Sequence, residues 1–411
     1  MLTITPLLFA NLAGQGCRAA EPSTQRQAAK PAVRRVVRPT PKPTPKKGRK
    51  TMIVYIGTYS GKEQQGIRVF RLDAATGTLA PLGGASGVGN PSFVALHPNG
   101  RFLFAVGEVG NFDAKGGGAV AAFATNPETG VLKMLNEQSS GGGAPCHLSL
   151  DPAGKNVFVA NYGGGSIACL PVGRDGWLHP ATAFIQHTGS SVNKERQGEP
   201  HAHSINADAA GRFVVSADLG LDKLLVYRLD ADKGKLTPND PPAANVAAGA
   251  GPRHFAFHPN GRFAVAVNEL NSTITALRYD ASRGTLAEIQ TLSTLPAGFE
   301  GTNYPAEVLF HPSGKFVYAS NRGHDSLAIF GVDAANGHLR LVGHQATHGK
   351  TPRGFGLSPS GDFLIAANQE TNTLIVFRVD PATGRLTQTG AAVAVPHPVC
   401  VVIAPPREAA R

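Results

Sequence analysis

The sequence has little of what usually announces a chemistry. Its 411 residues contain four cysteines, Cys17, Cys146, Cys169 and Cys400, and no two form a CxxC pair, which argues against a zinc site or a disulfide framework. No GxSxG elbow is present, so a serine nucleophile is unsupported. Apolar runs of 18 or more residues are missing, and nothing after the N-terminus reads as a membrane-spanning helix. Charge is sparse: Asp, Glu, Lys and Arg make up 16% of the chain, below the usual quarter or so, whereas Gly (49) and Pro (31) are abundant. That balance suits many short strands joined by tight turns.

The positive charge is also less general than it looks. Residues 1–50 hold eleven basic residues against Glu21, so they carry +10 of the net +11, and the remaining 361 residues sum to +1. A nucleic-acid footprint would need a basic face on the folded body, and none is expected there. Within the tail, a mildly apolar stretch (LTITPLLFANLA) leads to Cys17 and then to a Pro- and Lys-rich segment. This is the order of an exported protein whose membrane attachment is a lipid anchor at Cys17. However, the stretch lacks a basic start, is interrupted by Pro6 and Asn11, and has Gly14 three residues before the cysteine. A disordered extension is therefore an equal alternative. Residues 31–50 have almost nothing apolar to bury and are expected to be a solvated linker.

What the chain has in quantity is one repeat. A Pro, a short alternating run, a turn ending in Gly and a second apolar run recur as NPSFVALHPNGRFLFAVGE, APCHLSLDPAGKNVFVANY, EPHAHSINADAAGRFVVSADL, GPRHFAFHPNGRFAVAVNE, YPAEVLFHPSGKFVYASNR and TPRGFGLSPSGDFLIAANQ. The turn glycines at 100, 154, 211, 261, 314 and 361 lie 47 to 57 residues apart, the length of one four-stranded antiparallel unit. Two fragments are left over: HPVCVVIAP near the C-terminus has a first strand without successors, and TMIVYIGTYSGKEQQGIRVFRLD has later strands without a first. Joined, they make a seventh unit. The pattern predicts an all-β fold, a seven-bladed β-propeller of four-stranded antiparallel blades over residues 51–405, its ring closed by the C-terminal strand pairing with the N-terminal ones. Residues 406–411 form a short tail. An open solenoid or two sandwiches would leave the split repeat unexplained.

In a propeller, equivalent positions form rings around the channel, and departures from the repeat mark function. Directly after the recurring Pro the ring reads Ser92, Cys146, His201, Arg253, Ala306, Arg353 and Val399; the next reads Phe93, His147, Ala202, His254, Glu307, Gly354 and Cys400. Eight residues past the turn Gly stand Glu108, Tyr162, Leu219, Glu269, Arg322 and Gln369. Polar and charged members gather in the third to fifth repeats: His201, His203, Arg253, His254, Glu269, Glu307, Arg322 and His324. Histidines exchange protons near neutral pH, a carboxylate can act as base, and guanidiniums hold an oxyanion or phosphate. A purely structural reading makes Arg253–Glu269 and Arg322–Glu307 ion pairs. His97, His258 and His311 recur identically in HPNG and HPSG turns and are expected to pack the blades. The insertion SSVNKERQG carries Lys194 and Arg196, expected on a solvated loop near the mouth.

EPHAHSIN, GPRHFAFHPNGRFAVAVNEL, AEVLFHPSGKFVYASNRGHD, TPRGFGLSPSGDF and the opening IVYIGTYS resemble the lactonase family of seven-bladed propellers, over essentially all of 52–405. That family includes bacterial 6-phosphogluconolactonases and fungal 3-carboxymuconate lactonizing enzymes. The resemblance implies a cofactor-independent, metal-free hydrolase in the cytosol that opens a small anionic lactone, 6-phospho-D-gluconolactone above all. It also implies catalytic roles for Arg253, Glu269, Arg322 and either His201 or His203. His254, Glu307, His324 and Arg353 are the accompanying candidates for substrate binding. No Asp/Asn/Glu cage of the kind other lactonase propellers use for calcium is found. Action on another lactone, as hydrolase or lactonizing cycloisomerase, and a non-catalytic binding scaffold remain as alternatives.

Overall fold

The computed structural model describes residues 51–406, where every regular element is a β-strand. The expectations for Cys17, for the basic linker and for the tail beyond 406 lie outside the described residues. The strands form seven antiparallel sheets, each running from an innermost strand at the channel to an outer one. Numbered from the first complete repeat, the innermost strands of blades 1 to 7 are Val94–Leu96, Pro145–Leu150, Ala202–Ala207, Pro252–Phe257, Tyr304–Phe310, Pro352–Leu357 and Pro398–Ile403. Each contacts the innermost strands of both neighbouring blades, so the ring is complete. Blade 7 is the split one: Pro398–Ile403 pairs with Thr51–Thr58, placing Val401 opposite Ile56 and Ile403 opposite Val54.

The second strand of each complete blade, such as Phe102–Gly107 or Asn156–Asn161, is buried along its length, except at Arg322, which ends that of blade 5. It is covered by a neighbouring blade on either side, which is why it reads as a continuous apolar run and not as an alternation. One apolar cluster fills each interface between blades. Met52, Val54 and Phe70 meet Phe363 and Ile365 between blades 7 and 6, and Phe104 and Val106 meet Val157 and Val159 between blades 1 and 2. Outer strands such as Leu132–Ser139 are only partly covered and carry the polar residues. The recurring histidines fasten this packing as expected. Nε2 of His97, His258 and His311 bonds the carbonyl of the next blade's turn glycine, at 3.1, 2.8 and 3.1 Å from Gly154, Gly314 and Gly361.

Blades 6 and 7 approach closely at Gly354, where a Cβ would lie 2.2 Å from the Val399 carbonyl oxygen. Gly354→Ala must push the two backbones apart, and a loss of about 2–3 kcal/mol in chemical denaturation is expected. A variant within about 0.5 kcal/mol of the parent would contradict this contact.

A β-bulge shapes the channel mouth. In blades 2, 4 and 6 the register slips between the recurring Pro and the residue two positions on, leaving Cys146, Arg253 and Arg353 outside the ladder. In blade 5 the slip leaves out Ala306 and Glu307, and in blade 7 it leaves out Val399. An unpaired residue turns its side chain away from the sheet's alternation. Blade 3 corrects the expected ring. Its slip lies between Ala202 and Ser204, so Ala202, not Pro200, occupies the recurring Pro position. The ring member is therefore His203 and not His201, and Ser204, not Ala202, is the equivalent of His254.

Candidate active site

The bulge residues, together with those ending the second strands, enclose a cavity of about 360 Å³ lined by Glu108, Cys146, Tyr162, Arg196, His203, Glu269, Tyr304, Arg322 and Arg353. A narrow extension shares Glu108, Cys146 and Arg353 and adds Tyr59, Ser92, Phe93, Arg253, His254 and Val399. In the wall of the main cavity a carboxylate, Glu269, is held by three guanidiniums. Nε of Arg253 donates to Glu269 Oε2 at 3.0 Å, Nη2 of Arg322 donates to the same oxygen at 2.6 Å, and Nη2 of Arg196 donates to Oε1 at 2.6 Å. Burial alone would raise the pKa of Glu269, but Arg322, Arg253 and Arg196 outweigh it and bring the value down to about 2. The carboxylate is thus ionised throughout the working range, with both oxygens engaged. It anchors the arginines and is poorly suited to taking a proton from water.

The arginines keep spare donors. Arg253 also donates through Nη1 to Ala306 O at 2.7 Å, and Arg322 donates through Nε to Tyr304 O at 2.9 Å. That leaves Nη2 of Arg253 and Nη1 of Arg322 without a hydrogen bond among the described residues. Burial, then Arg253, lowers the pKa of Arg322 to about 9, still cationic at neutral pH. The expected Arg322–Glu307 pair is not formed; Glu307 instead bonds Nδ1 of His254 at 2.8 Å, both groups buried. Burial pushes Glu307 up to about 7 and drives His254 well below the usual histidine value, so at neutral pH this pair carries no more than part of one negative charge.

His203 is the histidine that reaches the cavity. It is 5% exposed; burial first, then Arg253, His254 and Arg353, hold its pKa well below that of a free imidazole. Nδ1 lies 3.5 Å from the Cys146 sulfur, and Nε2 has no partner among the described residues. The Cys146 thiol is itself pushed far up by burial and by Glu108, so the two make a neutral contact and not a thiolate–imidazolium pair. His201 serves the site indirectly: it stacks on Tyr162 with ring centroids 4.6 Å apart, and its Nδ1 bonds Tyr162 O at 3.0 Å.

Two expectations are revised. His324 lies outside the cavity, its Nδ1 bonded to Ser326 Oγ at 2.7 Å and its ring against Phe299 and His344, so it packs a loop. The insertion is not simply solvated. Lys194 does face solvent, but Arg196 enters the mouth, where it meets Glu269, approaches Tyr162 Oη at 3.5 Å and lies over the Tyr304 ring. The loop is held there by Asp222, which accepts from Ser191 Oγ at 2.6 Å and from Gln197 Nε2 at 2.8 Å. Glu108, Tyr162 and Cys146 lie on the expected rings, in blades whose other members are less polar, so weighing every ring position would have found them. Tyr59 is the blade-7 member of the ring that holds Glu108, Glu269 and Arg322, since Thr58 pairs with Pro398 as Asn268 pairs with Pro252, so carrying that ring into the split repeat would have found it. Tyr304 stands directly before the recurring Pro of blade 5. Among the described residues no group of three or more His, Cys, Asp or Glu side chains is arranged to hold a metal ion.

The family model described as "Lactonase, 7-bladed beta-propeller" matches residues 53–403. The chain belongs to this lactonase family. A 6-phosphogluconolactonase of Bacillus subtilis is 39% identical over 349 residues, covering 85% of this chain and 97% of that one. Among solved structures, the periplasmic gluconolactonase of Pseudomonas aeruginosa superposes with a TM-score of 0.81 at 33% identity, covering 87% of this lactonase-family chain and all of its own. A Bacteroides fragilis structure gives 0.80 at 38% identity, with 88% and 99% covered.

Proposed function

We propose that this lactonase-family protein hydrolyses a sugar δ-lactone, with 6-phospho-D-gluconolactone as substrate. The observation that carries the reading is that His203, a neutral imidazole with an unpartnered nitrogen among the described residues, lines the main cavity with Arg322, while Arg253 lines its narrow extension, both arginines with spare donors. In this mechanism His203 Nε2 takes a proton from water as the water oxygen attacks the lactone carbonyl carbon. Arg253 and Arg322, fixed by Glu269, donate to the oxyanion as it forms, where preorganised donors act most strongly. The carbonyl then reforms, the bond to the ring oxygen breaks, and the His203 imidazolium returns the proton to that oxygen, giving the open hydroxy acid. His254 lines the narrow end as a neutral binding group, and Glu307 holds its ring from behind.

The reading is supported by the names of the relatives, which differ in whether the lactone is phosphorylated. The deciding experiment follows the loss of freshly generated 6-phosphogluconolactone, and of glucono-δ-lactone, at pH 7 with the purified protein. Acceleration well above the spontaneous rate is expected. No acceleration of either lactone would refute the proposal.

A further inference from the structure

The four arginines of the cavity are unequal. Arg196, Arg253 and Arg322 all end on Glu269, whereas Arg353 has no hydrogen bond and no ion pair among the described residues. Its guanidinium lies over the Tyr59 ring, 5.4 Å from the centroid. Glu108, the other carboxylate of the cavity, is already engaged: Tyr59 Oη donates to it at 3.2 and 3.0 Å, and Ser92 Oγ donates at still closer range. Four guanidiniums thus line the cavity and its extension beside Glu108 and Glu269, and even with Glu307 ionised behind His254 the positive groups outnumber the carboxylates. The five N–H donors of a guanidinium are costly to leave unmet once a ligand displaces water. Arg353 is the only one of the four whose donor set is wholly uncommitted, and it borders both the main cavity and its narrow extension.

We propose that Arg353 is the specificity residue that binds the phosphate of a phosphorylated sugar lactone, while the arginines on Glu269 act on the lactone carbonyl. This rests on the lactonase reading above. A phosphate monoester dianion matches the charge excess and offers the oxygens for a two-pronged guanidinium contact. Specificity of this kind is a difference between two substrates, here with and without the phosphate.

The test compares the wild-type protein with Arg353→Met and Arg353→Lys on 6-phosphogluconolactone and glucono-δ-lactone. It adds calorimetric titration with 6-phosphogluconate, gluconate and inorganic phosphate, and thermal unfolding. In Arg353→Met, kcat/KM on the phosphorylated lactone should fall about 100-fold, chiefly through KM, with glucono-δ-lactone changed less than about 3-fold. Affinity for 6-phosphogluconate should fall in parallel, Arg353→Lys should recover part of it, and Tm should be unchanged or higher, since no native bond is lost. Equal losses on both lactones, or an unaltered phosphorylated reaction, would overturn the assignment. Should the wild type hydrolyse neither lactone, the lactonase reading fails, and the titrations still decide the anion site: phosphate binding weakened by Arg353→Met upholds it, and identical or undetectable binding in both proteins overturns it.

Discussion

Glu269→Gln is expected to lower kcat/KM for lactone hydrolysis by about 10³-fold or more, the largest single effect in the site. Three guanidiniums converge on its two oxygens within 3.0 Å. A neutral amide can accept on one side only, and its NH₂ would face an arginine donor. The guanidiniums would then repel one another and leave the geometry that points Arg253 and Arg322 at the carbonyl. Stability should drop as well, by about 3–5 kcal/mol, as when one partner of a buried ion cluster is removed. The pH dependence has a definite sign. The folded carboxyl titrates near 2, below its unfolded value, so its contribution is fully present above about pH 4.5 and is lost as pH falls towards 2. The stability gap between wild type and Glu269→Gln should therefore be constant at neutral pH and close in acid, as read by denaturant unfolding at several pH values. Unchanged kcat/KM would mean that the arginines do their work without this anchor.

His203→Gln should lower kcat by about 10² to 10⁴ with KM nearly unchanged, the loss expected of a group that moves a proton in the transition state, first from water and then to the ring oxygen, and adds little to binding of the intact lactone. The thermal transition should barely move, because among the described residues the ring's one side-chain contact at hydrogen-bonding range is the Cys146 sulfur, at 3.5 Å. Burial and the nearby cations keep His203 neutral well below the ordinary histidine range. Wild-type kcat/KM, corrected for the spontaneous reaction, should accordingly be flat from pH 8 down to about 6.5, with its acid limb at lower pH. A limb centred at 7 would assign the proton transfer to another group. His201→Gln provides the contrast: it disturbs the stacking on Tyr162 and should cost far less.

The fold was legible because its information is local and repeated. Alternating strands, Pro and Gly at each turn, and a repeat split between the two ends specify seven blades before any long-range contact is known. The rings were legible for the same reason where the repeat is intact: Arg253, His254, Glu269, Arg322 and Arg353 line one cavity and its extension, with Glu307 bonded to His254. They failed in blade 3, where the second proline-like position is an alanine. Anchoring on Pro200 shifted the register by two residues, whereas counting eight back from Gly211 would have reached His203, as it reaches Arg253 from Gly261.

Sequence alone thus determined the architecture and the kinds of charge at the channel. Tertiary structure decided that His203 and not His201 faces the cavity, that Arg322 closes on Glu269 and not on Glu307, that Arg196 lines the cavity while His324 does not, and that Arg353 has no hydrogen bond or ion pair among the described residues. The physical reason is that these outcomes depend on bulges and loops. A bulge redirects one side chain without changing the composition around it, and the insertion's Arg196 is aimed by Asp222, a carboxylate fixed by the fold of a different loop. Periodicity records which positions are equivalent; only the folded backbone fixes where each side chain ends.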